Sequence, residues 1–202
     1  MSNYKRPCVG GATVFSTVSL ARREGTLLVD HIDLLREAVA VTKARRPFEI
    51  EAWVVLPDHM HAVWTLPKGD ANYSDRWGAI KARFSKFVRL REGITVGHRP
   101  TLQNGRRVGF QPTETQSMRD ARSPSKTAKQ DAGIWQRRFW EHHIRDQRDL
   151  EAHIRYCWIN PVKHGLCEAP TDWPFSSIHR DARLGRVDPE YIGNVPEGAY
   201  GG

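Results

Sequence analysis

The chain has 202 residues, 39% of them hydrophobic, with a formal net charge of +8 and a pI near 9.7. That length supports one domain with its own core rather than several, and the positive excess makes a polyanion such as nucleic acid the leading kind of partner. Cys8, Cys157 and Cys167 lack C-x-x-C spacing, which argues against a disulfide framework or zinc ribbon and fits a reducing compartment, the cytoplasm. No apolar leader or run of about 18 apolar residues is visible, so secretion and membrane spanning are not expected.

After a basic start with Lys5 and Arg6, ATVFSTVSL (12–20) is rich in β-branched residues and reads as a strand. From His31 to Arg45, Ile32, Leu35, Ala38 and Val39 recur at helical steps, and Pro47 ends the helix they predict. FEIEAWVVLP and DHMHAVWTLP predict a pair of strands joined tightly at Leu56-Pro57-Asp58. Ser74 is expected to cap a helix running through Arg91, with Trp77, Ile80, Phe84, Phe87 and Val88 as its apolar stripe. Lys81, Arg83, Lys86, Arg89 and Arg91 would make its other side basic.

Residues 92–131 lose all periodicity and read as a long disordered insertion within a single domain spanning 1–190. Order resumes at GIWQRRFWEHHIRD, which predicts a strand, followed by a helix from Arg148 to Asn160 capped by Asp146 and stopped by Pro161. The remainder is turn-rich, with one short helix and a flexible tail over 191–202. This order of elements predicts an α+β fold, an antiparallel sheet with helices packed on it.

The segment WVVLPDHMHAVWTLP (53–67) places two imidazoles in an apolar strand. Side chains alternate faces along a strand, so His59 and His61 point the same way and Met60 the other. Two such imidazoles can converge on a divalent cation, or they can be an ordinary half-buried, hydrogen-bonded pair. In HIRYCWINP, helical spacing puts His153, Tyr156 and Asn160 on one face. Tyr156 is either a core tyrosine or a nucleophile toward phosphorus, activated where a divalent ion neutralises the phosphate and a neighbour takes the phenolic proton.

Four blocks in order, AWVVLPDHMHAVWTLP, GIWQRRFWEHHIRD, YCWINPVKHGL and DWPFSSIHRD, closely resemble the REP-associated tyrosine transposases, relatives of the single-tyrosine HUH transposases. The resemblance covers most of residues 1–91 and 133 to about 190. It implies a ferredoxin-like or RRM-like antiparallel sheet with the histidines on a central strand. It also implies a single-strand DNA endonuclease and strand transferase acting on repetitive extragenic palindromic hairpins through a 5′-phosphotyrosine, with Mg²⁺ or Mn²⁺ as the ion. The family's paired histidines fall on His59 and His61 and its nucleophile on Tyr156, and Asn160 stands where relatives place an amide oxygen on the metal. Imidazole ligands favour Mn²⁺ over Mg²⁺.

Phosphate contacts are expected from Arg22, Arg23, Lys81, Lys86, Arg137 and Arg138, with Lys5, Arg6, Arg180 and Arg183 in the same role. Trp77 and Trp140 are candidates for stacking on unpaired bases. The insertion's excess of basic residues fits either a DNA clamp or a tolerated surface loop. A water-using phosphodiesterase and a catalytically inactive DNA-binding module remain competing readings, and a monomer is favoured over a dimer that exchanges tyrosine helices.

Overall fold

A computed structural model describes residues 9–93, 133–188 and 191. The insertion read at 92–131 lies outside the described residues apart from its first two positions, as do Lys5, Arg6 and the tail beyond 191. The elements in order are β1 (Thr13–Ser19), α1 (Leu27–Asp30), α2 (Ile32–Arg45), β2 (Glu49–Val55), β3 (His59–Thr65), α3 (Tyr73–Arg91), β4 (Trp140–His143) and α4 (Gln147–Lys163). A 3₁₀ turn at Pro170–Asp172 and α5 (Ile178–Arg183) follow.

The four strands form one sheet in the order β2-β3-β1-β4, and every neighbouring pair is antiparallel. With helices between β1 and β2 and between β3 and β4, this is the βαββαβ ferredoxin-like arrangement, and β3 is central as expected. Alternation along β3 sends Met60, Ala62 and Trp64 to one face and His59, His61 and Val63 to the other. The first face packs against α2 and α3 in the larger core, where Trp64 stacks on Trp77 with ring centroids 4.0 Å apart. The second face packs against α4 through Phe15, Ala52, Val54, Val63, Tyr156 and Cys157. A strand covered on both faces is apolar throughout, which is why the run around the histidines is almost unbroken.

Several local expectations are corrected. Helix α3 begins at Tyr73, with Asn72 rather than Ser74 in the N-cap position; the Asp70 carboxylate accepts the Asn72 N–H (2.7 Å) and organises the entry two residues earlier. The strand expected across GIWQRRFWEHHIRD shortens to Trp140–His143. Trp135 instead bridges to Leu20, and the Lys81 ammonium draws the intervening chain aside by donating to the Gln136 carbonyl (2.5 Å).

Pro161 does not stop α4. The helix runs on to Lys163 and closes in a Schellman motif, with Leu166 N–H donating to Pro161 O and Gly165 N–H to Val162 O, each at 2.9 Å. Gly165 supplies the left-handed residue (φ 66°) that this motif needs. The missing proline N–H falls in the last turn, so it removes one bond without disrupting a longer helix. At the other end Asp146 caps as expected, accepting from Asp149 N–H at 2.8 Å.

Candidate functional site

His59 and His61 are both buried on the face of β3 that α4 covers, their ring centroids 5.0 Å apart and their planes nearly perpendicular. His59 Nδ1 lies 2.6 Å from Asp58 Oδ1. An ionised carboxylate only accepts, so Nδ1 donates to it, and in a neutral ring that leaves the lone pair on Nε2. His61 Nδ1 is 2.9 Å from the Thr17 hydroxyl on β1, while its Nε2 is buried without a hydrogen-bond partner. Burial, reinforced by His59, His164 and Lys163, holds the His61 pKa well below the ordinary imidazole value. The ring therefore stays neutral at physiological pH, the form in which imidazole serves as a ligand.

Helix α4 lays its polar face over this pair. The Tyr156 ring lies 5.1 Å from that of His61, and eight residues further on, past Pro161, the His164 ring lies 5.0 Å from that of His59. Asn160 stands midway between these contacts on the same helical face. It is fully buried, and neither atom of its amide finds a hydrogen-bond partner. Buried polar groups are ordinarily satisfied, so an unpartnered His61 Nε2 and an unpartnered Asn160 Oδ1 in one site fit a cation held by two imidazoles and an amide oxygen. Cys157, also buried here, is pushed far up by burial, which removes it as a competing nucleophile beside Tyr156.

Lys163 and His164 lie beyond the stop that Pro161 signals in the sequence, and only the continuation of α4 through it brings them to the site. The Lys163 ammonium lies 5.3 Å from the centre of the Tyr156 ring, placing a cation beside the tyrosine. The signal for both is the three- and four-residue spacing of His153, Tyr156 and Asn160, which continues past the proline.

Arg22, Arg23, Lys86, Arg137 and Arg138 are exposed. Lys81 is not: it is buried and engaged with Gln136, so contrary to the expectation from sequence it does not belong to the exposed basic side of α3. Arg180 is likewise committed to the fold, donating to the Ile50 and Glu51 carbonyls and the Asp181 carboxylate. Trp77 is fully buried in the core and cannot reach a base, whereas Trp140 is 38% exposed.

Where β4 meets α4, His142, Asp149 and His153 bring three potential metal-ligand atoms within 4.8 Å of one another. His142 Nε2 lies 2.8 Å from Asp149 Oδ2, and His153 Nδ1 lies 2.8 Å from the Asp149 carbonyl. Burial alone would raise the Asp149 pKa, but the bonds from His142 and Arg145 outweigh it and hold the carboxyl at about 2.

A ferredoxin-like sheet presenting two imidazoles to a tyrosine on the helix that covers them has the design of a tyrosine transposase of the α+β type. The fold matches a solved structure described as a REP-associated tyrosine transposase bound to a REP hairpin, with a TM-score of 0.76 and 38% identity, over 100% of this chain and 98% of that one. The chain is also 39% identical to the REP-associated tyrosine transposase of Escherichia coli (strain K12), over 100% of this chain and 97% of that protein. It is 36% identical to a putative REP-associated tyrosine transposase of Haemophilus influenzae, over 98% of this chain and 96% of that protein. No protein-family model matches the chain. The chain belongs to the REP-associated tyrosine transposases. Among the described residues, no helix is long and apolar enough to cross a membrane.

Proposed function

We propose that this protein cleaves and transfers single-stranded DNA beside REP-type hairpins, with Tyr156 as the nucleophile. The observation that carries the reading is the pair of unpartnered buried atoms, His61 Nε2 and Asn160 Oδ1, in the site shared with Tyr156. A divalent ion, Mg²⁺ or Mn²⁺, would be held by His59, His61 and Asn160 and would supply charge neutralisation at the scissile phosphate.

The chain's own residues do the rest. Thr17 and Asp58 fix the orientation of the two imidazoles. Lys163 places positive charge beside the Tyr156 ring, where it attracts the phosphate. The Tyr156 oxygen attacks phosphorus, a phenolic O–P bond forms and the P–O3′ bond breaks. The phenol gives up its proton and the departing 3′-oxygen gains one. The product is a 5′-phosphotyrosine with a free 3′-hydroxyl, and a later attack by a 3′-hydroxyl reverses the step and rejoins a strand without ATP. Arg22, Arg23, Lys86, Arg137 and Arg138 bind backbone phosphates.

The test is incubation with labelled hairpin DNA bearing single-stranded flanks and Mn²⁺ or Mg²⁺, resolved on a denaturing gel. A labelled protein band that disappears in Tyr156→Phe, while hairpin binding persists, supports the reading; cleavage without that band assigns the reaction to water and makes Tyr156 structural. Because α4 packs onto the sheet of its own chain, one protomer holds the complete site. In this reading the active species is a monomer, and sedimentation of the DNA complex is expected to give one protein chain per hairpin. A two-chain complex would favour exchange of the tyrosine helices.

A further inference from the structure

We infer that Trp140 is a stacking platform for one unpaired base of the substrate strand, close to the scissile phosphate. This rests on the proposed DNA-strand chemistry and adds the residue that senses whether the strand is unpaired. Three rings form a near-parallel column from α4 to the sheet edge. His153 stacks on His142 with centroids 4.7 Å apart and planes 14° from parallel, and His142 stacks on Trp140 at 6.1 Å and 6°. The column is braced at its inner end, where Asp149 contacts both His142 and His153 and Phe15 packs on His153 with centroids 4.7 Å apart. Its outer member is among the few large hydrophobic side chains left exposed among the described residues.

The position makes a base the occupant rather than a protein side chain. Trp140 and His61 are both cross-strand partners of Thr17, so the indole is on the same sheet face as the histidines. Their backbones are separated by two strand spacings, roughly 10 Å. That distance is spanned by about three nucleotides at the roughly 3.4 Å rise of a stacked strand, and by fewer in an extended one. Exposed Arg137 and Arg138 lie immediately before the column and suit the phosphates on either side of the stacked base. A base inside a duplex has both faces covered by its neighbours, whereas an unpaired flanking nucleotide can swing out of its stack and extend the column. Its inner end, His153, lies one helical turn before Tyr156, tying base docking to the helix that carries the nucleophile.

The test is equilibrium binding by fluorescence anisotropy, without added metal, to hairpins whose single-stranded flanks carry an abasic site at each of the three nucleotides on either side of the junction. Wild-type protein is expected to lose about 5- to 100-fold in affinity at one abasic position. Trp140→Ala should lose a similar factor on intact DNA and become indifferent to that abasic site, while Trp140→Phe retains most of the affinity; thermal melts establish that both variants fold. The inference is overturned if Trp140→Ala binds intact DNA like wild type, if it stays sensitive to the same abasic site, or if wild type has no sensitive position. Adduct formation plays no part in this readout, so failure of the Tyr156 chemistry and failure of the Trp140 platform are distinguishable.

Discussion

Asn160 poses the sharpest question at the level of single residues, because burying an amide with no partner is destabilising unless something outside the protein satisfies it. An asparagine retained for packing and one retained as a ligand behave oppositely when replaced by an apolar side chain of similar size. Asn160→Leu is expected to keep or raise the melting temperature, since it removes an unsatisfied polar group, while lowering metal-dependent adduct formation by about tenfold or more. A loss of stability with unchanged adduct yield would make Asn160 a packing residue. The two histidines differ from it in being half satisfied: Asp58 and Thr17 each hold one nitrogen, so each ring enters the site already oriented.

Helix α4 is the element on which the chemistry depends. Its N-terminus is held to β4 through Asp149, which contacts His142, Arg145 and His153, and this latch lies two turns before Tyr156. Burial opposes ionisation of Asp149, yet the bonds from His142 and Arg145 bring its pKa in the folded state down from 3.8 to about 2. A carboxyl with a depressed folded-state pKa stabilises the fold fully above its unfolded value, near pH 4, and loses that contribution as the pH falls through 2. Asp149→Asn should therefore lower stability in urea titrations at pH 5 to 7, and the difference from wild type should narrow steadily between pH 4 and 2. A gap that is constant with pH would show that the carboxylate's charge is not what holds α4 to the sheet.

At the scale of the whole molecule, the +8 charge is divided between surface and structure. Lys81 and Arg180 are spent on the fold's own carbonyls, whereas Arg22, Arg23, Lys86, Arg137 and Arg138 face solvent. Binding of hairpin DNA should weaken linearly in log–log plots against salt, and Arg137→Ala or Lys86→Ala should each reduce that slope by about one. Lys81→Ala should leave the slope unchanged and lower the melting temperature instead, because its ammonium is tied to Gln136 inside the protein. An unchanged slope in the exposed-residue variants would move the phosphate path elsewhere on the surface.

Much of this was legible without coordinates. Period-two alternation put His59 and His61 on one face, helical spacing grouped His153, Tyr156 and Asn160, and the order of strands and helices implied the antiparallel sheet. All of these are short-range consequences of backbone geometry. The sequence likewise indicated the family, through blocks that span the fold. What it could not reveal were facts that depend on long-range packing. Whether Lys81 faces water or the Gln136 carbonyl is decided by a contact between residues 55 positions apart. Trp77 is lost to the core because α3 turns it onto Trp64, whereas Trp140, on the edge strand β4, keeps part of its surface in solvent. Pro161 is a strong local stop signal that a Schellman closure two residues later overrides, and with it came Lys163 and His164. Local propensity wrote the face that carries the histidines and the face that carries the tyrosine; only the tertiary structure, by laying α4 across β3, decided that the two meet.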